Sequence, residues 1–193
     1  MTFCYRDRSH GVLAVLGVML GLACRGGDPP ADTSAVAADM APTSVARSAP
    51  TLTAEGFGPV RIGMSLDSAR QAVGEPGAMP DTLAPECDYV RLTALPEGVT
   101  LMIIDGRIVR IDVQAPGLAT AEGARIGDLE RRIDSLYAPA VRREPHKYVD
   151  GSYLIVPSAR DTTRQLVFET DGRVVTSFRA GMLPMVRWVE GCS

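Results

Sequence analysis

A sequence repeat at near-constant spacing sets the strongest limit on how this chain folds. Arg61-Ile-Gly63 returns as Arg125-Ile-Gly127, Tyr89 returns as Tyr153, and Asp105-Gly-Arg107 returns as Asp171-Gly-Arg173, at offsets of 64, 64 and 66. Three matches in one order at nearly one spacing imply two copies of a supersecondary unit that bury their apolar faces together. The copies run from about 58 to 117 and from about 122 to 182.

Each copy opens with a short helix. Ser65 caps Leu66 to Val73, Gly74 supplies the left-handed C-terminal position, and Pro76 stops continuation. In the second copy Asp128 caps Leu129 to Tyr137, and Pro139 follows. Ala69, Ala72 and Val73 match Ile133, Leu136 and Tyr137 at the offset of 64, which puts an apolar stripe on one face of each helix. Helices this short need a sheet to lie on.

Strands are expected at Asp88 to Leu92, Val99 to Ile104 and Ile108 to Val113, then at Tyr153 to Val156, Leu166 to Thr170 and Val174 to Phe178. An Asp-Gly pair joins the last two strands of each copy, and Asp-Gly between β-branched runs signals a type I′ hairpin whose two central residues take positive φ. Each copy has three strands, or four if Gly58 to Ile62 leads, and Met185 to Val189 can add an edge strand. The expected class is α+β: two tandem repeats of a short helix followed by a three- to four-stranded antiparallel sheet, with the helices packed on one sheet face.

Ahead of this domain lies an export segment. Arg6 and Arg8 precede the apolar run Gly11 to Ala23, which ends at Cys24. A basic head, an apolar stretch and small residues before a cut describe a signal peptide. Thirteen residues of helix span roughly 20 Å, short of the roughly 30 Å hydrocarbon core, so an uncut anchor fits poorly. Leu20-Gly-Leu-Ala-Cys24 resembles the lipobox of bacterial lipoproteins, which implies that Cys24 is acylated with palmitate-type chains, becomes the new N-terminus and holds the protein on a membrane. Residues 1–23 are then the signal, residues 24–50 a tether and residues 51–193 the domain. The tether is rich in Ala, Ser, Thr, Pro and Asp with no aromatic residue, a composition that cannot offset its ordering entropy.

Without Arg6, Asp7 and Arg8 the formal charge moves from −3 to −4, and no basic cluster with interleaved aromatics occurs, which argues against nucleic-acid binding. Processing leaves Cys87 and Cys192 as an even pair in an oxidising compartment, 105 residues apart, and a disulfide is expected. There is no CxxC, and two distant thiols do not make a zinc site.

Catalytic machinery is not evident. His146 is the one histidine of the mature sequence, and GxSxG, HExxH and a phosphate-cradling glycine loop are all missing from it. No catalytic residue, metal ligand or cofactor is assigned. Asp105 and Asp112 read as a turn and a solvated strand face. Arg142 to Val149 breaks the repeat and gathers Arg143, His146, Lys147 and Tyr148, which makes these four the candidate binding residues on a surface loop. Tyr89 and Asp112, on a sheet face, come next, and Trp188 reads as a core or edge-strand anchor.

The run Ile62-Gly-Met-Ser-Leu-Asp-Ser-Ala-Arg-Gln-Ala-Val-Gly-Glu-Pro76 resembles the opening helix of the SmpA/OmlA (BamE-like) lipoproteins and of the β-lactamase inhibitory protein superfamily. That resemblance implies small helices on an antiparallel sheet, a unit carried twice in the inhibitor, and lipidated envelope proteins that bind other proteins. It carries over no functional residue. The expectation is a non-enzymatic lipoprotein of the bacterial envelope, on the outer membrane facing the periplasm, whose domain binds a protein partner or an envelope polymer. The alternative is an enzyme or small-ligand binder with its site around His146 and Tyr148.

Overall fold

Ser65 starts the first helix by taking one of its unpaired N–H groups. Its hydroxyl accepts from Ser68 N–H at 3.2 Å, and α1 then runs over Leu66–Val73. Gly74, at φ 76°, closes it in the left-handed conformation. The computed structural model describes residues 49–75 and 84–192. Cys24, the signal, most of the tether and Pro76 lie outside the described residues.

The second helix, α2, spans Glu130–Tyr137, and its start corrects the expected cap. Leu129 occupies the cap position without a side-chain bond, while Asp128 Oδ2 accepts from Arg125 N–H at 2.8 Å and from Arg132 Nε at 3.1 Å. The sheet fixes this entry instead. Gly127 N–H donates to Val175 O at 2.8 Å and Val175 N–H to Asp128 O at 2.9 Å. At α1 the corresponding bonds are Gly63 N–H to Ile108 O at 2.7 Å and Ile108 N–H to Met64 O at 2.9 Å.

The fold is α+β. Strands β1 (Leu52–Thr53), β2 (Gly56–Phe57) and β3 (Val60–Arg61) form a small antiparallel sheet, in place of the single leading strand expected at Gly58 to Ile62. The main strands are β4 (Asp88–Val90), β5 (Val99–Ile104), β6 (Arg107–Val113), β7 (Arg142–Pro145), β8 (Ser152–Pro157), β9 (Arg164–Thr170) and β10 (Val175–Met182). They make one seven-stranded antiparallel sheet in the order β4-β5-β6-β10-β9-β8-β7. Two expectations fail here. Arg142 to Pro145 is an edge strand paired with β8, not a loop, and Met185–Arg187 is a 3-10 turn lying on the sheet, not an edge strand.

The two Asp-Gly turns also differ. Asp105 and Gly106 both take positive φ, 48° and 70°, as a type I′ turn requires. In the second turn only Gly172 does, and Asp171 Oδ1 accepts from Arg173 N–H and Val174 N–H, both at 2.9 Å, inside a four-residue connection.

Side chains alternate between faces along a strand. One set, including Leu101, Ile111, Leu154, Phe168 and Phe178, is buried in the same cluster as Leu66 and Ala69 of α1 and Ile133 and Tyr137 of α2. The alternate set defines a second face, where Tyr153, Ile155 and Val167 form a smaller cluster with Val186.

Candidate functional site

The second face carries charge at its centre. Arg110 and Asp112 project from β6 and Arg179 from β10, all buried, and Arg179 is the pairing partner of Asp112. Arg110 Nε donates to Asp112 Oδ2 at 2.9 Å with side-chain exposures of 7% and 9%. Its Nη2 donates to the Tyr89 hydroxyl at 2.8 Å. Arg179 Nη1 pairs with Glu169, whose other oxygen accepts from Ser177 Oγ at 3.3 Å and lies 3.9 Å from His146 Nε2. Burial pushes the Asp112 carboxyl above the usual range and outweighs the opposing charge of Arg110. Tyr89 is likewise raised, by burial first, against the same arginine.

The C-terminal segment runs across this face as a strap. Arg110 Nη1 donates to the carbonyls of Met185 at 3.2 Å and Trp188 at 2.8 Å, and Arg179 Nε donates to Val186 O at 2.7 Å. Val186 is fully buried in the cluster of Tyr153, Ile155 and Val167. Arg187 reaches Gln165 at 2.6 Å and Glu144 at 2.9 Å. Two arginines thus read three main-chain carbonyls, and a disulfide from Cys192 to Cys87 ties the far end with the Cα atoms 5.4 Å apart.

Of the four candidate binding residues, His146, Lys147 and Tyr148 meet, with the His146 and Tyr148 ring centres 6.3 Å apart, and Arg143 stands apart. Arg143, on β7, turns to α2 and pairs with Glu130 and with Asp134 at 3.2 Å. His146 is 11% exposed and stacks on Tyr153 at 4.5 Å, and its Nδ1 accepts from Tyr148 N–H at 3.1 Å and Val149 N–H at 3.4 Å. Those bonds place the neutral ring's proton on Nε2, towards Glu169. Lys147 and Tyr148 face outwards: Lys147 Nζ lies 2.6 Å from Glu190 and 5.0 Å from the centre of the Tyr148 ring, which is 58% exposed.

Asp112 therefore corrects the solvated-face expectation, and Trp188, at 39% exposure, anchors the strap through its carbonyl. Arg110, Glu169 and Arg179 were missed by sequence reasoning. Their only local sign is a charge between buried apolar residues, as in Arg110-Ile-Asp112, and that pattern also describes a wet strand.

Beside the strap, a cleft of about 430 Å³ opens on the second face, lined by Tyr89, Arg91, Thr100, Arg110, Asp112 and Gln114. The side chains of Arg91, Thr100 and Gln114 have no hydrogen-bond partner among the described residues, and neither has Asp112 Oδ1. The cleft can therefore offer a cation, a hydroxyl, an amide and the open oxygen of an otherwise buried carboxylate to a ligand.

No protein-family model matches the chain, and no curated protein matches it. Among solved structures, a DUF4309 family protein (YjgB) from Bacillus subtilis is similar over 68% of this chain and 87% of its own, with 13% identity and a TM-score of 0.41.

Proposed function

We propose that this chain is a lipid-anchored protein of the bacterial envelope whose domain binds a protein partner, without catalysis, through the second face of its sheet. The cleft beside the strap carries this reading, because it holds unpaired polar groups at the rim of a rigid, buried charge network. Such groups are open to a partner's hydrogen bonds, and the buried ion pair beneath them fixes the part of the sheet that presents them. The lipobox resemblance at Cys24 and the tether composition supply the anchor and the reach.

In the same reading the domain is a duplicated unit with both helices on one face of the sheet, as the resemblance to SmpA/OmlA and β-lactamase inhibitory proteins implies. Backbone registers support the duplication. Leu101 pairs with Ile111 and Met102 with Arg110, while Phe168 pairs with Phe178 and Glu169 with Ser177. Both hairpins then carry one extra residue, Val109 and Thr176, at the corresponding place. The helix entries repeat too: Leu66 N–H donates to Gly106 O and Glu130 N–H to Arg173 O. Burial of Leu66, Ala69, Ile133 and Tyr137 in one cluster supports the helix placement.

Photocrosslinkers placed at 91 and 114 in the full chain, in its host's membranes, test the binding face. Both should label one envelope protein, and a crosslinker at the exposed Asp67 of α1 should not. Labelling of an envelope polymer, or equal labelling from position 67, would overturn the protein-binding reading.

A further inference from the structure

The pocket that receives Val186 and the cleft occupy equivalent places. From the registers above, Tyr89 corresponds to Tyr153, Thr100 to Val167 and Asp112 to Arg179. Two residues further along the chain, just past the ends of β4 and β6, Arg91 corresponds to Ile155 and Gln114 to Gly181. The residues that receive Val186 in the second unit are Tyr153, Ile155 and Val167. Their counterparts in the first unit, Tyr89, Arg91 and Thr100, line the cleft.

We infer that the cleft is a docking site for a short peptide turn of a partner protein, seated as Val186 is seated in the second unit, with an acidic side chain directed at Arg91. The site has the same shape of task but inverted chemistry. Where the second unit offers an apolar pocket for Val186, the first offers Arg91, Thr100 and Gln114. An apolar side chain there would leave these groups desolvated and unpaired, whereas a carboxylate pairs with the guanidinium. Where Arg179 donates to the carbonyl of Val186, Asp112 presents a free Oδ1, an acceptor matched to a ligand main-chain N–H. Arg110 does not supply the anion contact, because its Nε and Nη atoms already serve Asp112, Tyr89 and two strap carbonyls.

This inference rests on the proposed binding role of the second face and names the ligand that face takes. Its test uses the full chain in detergent and fluorescent peptides with the sequence of residues 183–190, either unchanged or carrying Val186→Glu or Val186→Lys, read by anisotropy. The glutamate peptide should bind, and the other two at least about tenfold more weakly. Arg91→Glu should reverse that order and favour the lysine peptide, a charge exchange that a purely structural role for Arg91 would not produce. Equal binding of all three peptides, no binding at millimolar concentration, or loss in Arg91→Glu without rescue by lysine would each overturn it. So would capture of peptidoglycan fragments that Arg91→Glu abolishes while no peptide binds. If the peptides fail but the crosslinkers at 91 and 114 still label one envelope protein, the peptide-turn inference fails and the binding role stands.

Discussion

Asp112 and Arg179 sit opposite each other on the central strand pair, yet each is bonded to a different partner, Asp112 to Arg110 and Arg179 to Glu169. The result is a run of four alternating charges, neutral in sum, beneath the strap. A buried ion is tolerated when it is paired and its remaining hydrogen-bond groups are used, and here the spare N–H groups of both arginines are turned on strap carbonyls. Charge pairing and strap docking are therefore one structure.

Removing one partner should cost far more than removing both. Arg110→Met leaves Asp112 buried without its cation and strips two strap carbonyls of donors, so a loss of about 3–5 kcal/mol is expected in urea unfolding. The double variant Arg110→Met with Asp112→Leu should recover much of it, because apolar replacements of a buried pair are often near neutral. A double variant as unstable as Arg110→Met alone would show that the strap carbonyls, not the unpaired carboxylate, set the cost.

The raised pKa of Asp112 gives this group a definite pH signature. Its folded state holds the proton more tightly than the unfolded chain, whose value is about 3.9. The group's contribution to stability is therefore full below that value and is lost as pH rises through the folded pKa. Stability of the wild type minus that of Asp112→Asn should fall with rising pH above about 4. A difference that rises over the same window would mean that the Arg110 charge outweighs burial.

Local signals in the sequence are enough for α1, because its cap and its terminating glycine lie within the helix's own neighbourhood. They are enough for the first hairpin for the same reason, and for the place of the second but not for its turn, where the Asp171 side chain takes two N–H groups instead. The strap is different. Met185 to Val189 has the composition of a strand, and what keeps it out of the sheet is the pair Arg110 and Arg179, some 75 and 7 residues away in sequence, taking carbonyls that a ladder would use. The edge strand β7 was hidden by its own edge adaptation: Arg142, Arg143, Glu144 and Pro145 are charges and a terminal proline, the residues that protect a sheet edge from further pairing and also the residues of a loop. Burial of Asp112 follows from the strap and was invisible for that reason.

The Arg143, His146 and Lys147 positions should separate by stability. Lys147→Ala removes a surface ion pair and should change unfolding by less than about 0.5 kcal/mol. His146→Ala removes a side chain stacked on Tyr153 and the acceptor for two N–H groups of its turn, so about 1–2 kcal/mol is expected. Arg143→Ala should fall between them, since of its two carboxylate partners on α2 Asp134 is exposed and the largely buried Glu130 keeps its bond from Thr170. Equal, negligible effects in chemical denaturation would return His146 to the solvated class.

The disulfide should act on the strap first. Cys87 and Cys192 are 105 residues apart, and a closed loop of that size is worth roughly 4–5 kcal/mol on chain-entropy grounds, with smaller delivered values common. Peptide mapping without reductant should recover the two cysteines in one linked pair. Reduction should lower the unfolding midpoint and speed amide exchange over residues 183–192 more than over β6, because three arginine bonds and Val186 still hold the strap's middle. Exchange that accelerates equally in β6 would show that the strap and the sheet open together.

The membrane attachment should depend on one atom, the Cys24 sulfur. A run of thirteen small and apolar residues is too short to span a bilayer as a helix, so an uncut segment would hold the protein weakly. A single acyl chain gives only marginal, reversible binding, whereas two chains on one residue anchor stably. Cys24→Ser should therefore abolish labelling by a fatty-acid analogue and move the protein wholly from the membrane fraction to the soluble fraction, with the folded domain intact by circular dichroism. A variant that loses the label but remains with the membranes would mean that the apolar run itself, or a partner held at the second face of the sheet, retains it. Repeating the fractionation with Arg91→Glu added would separate those two causes, because only the partner-held fraction should then be released.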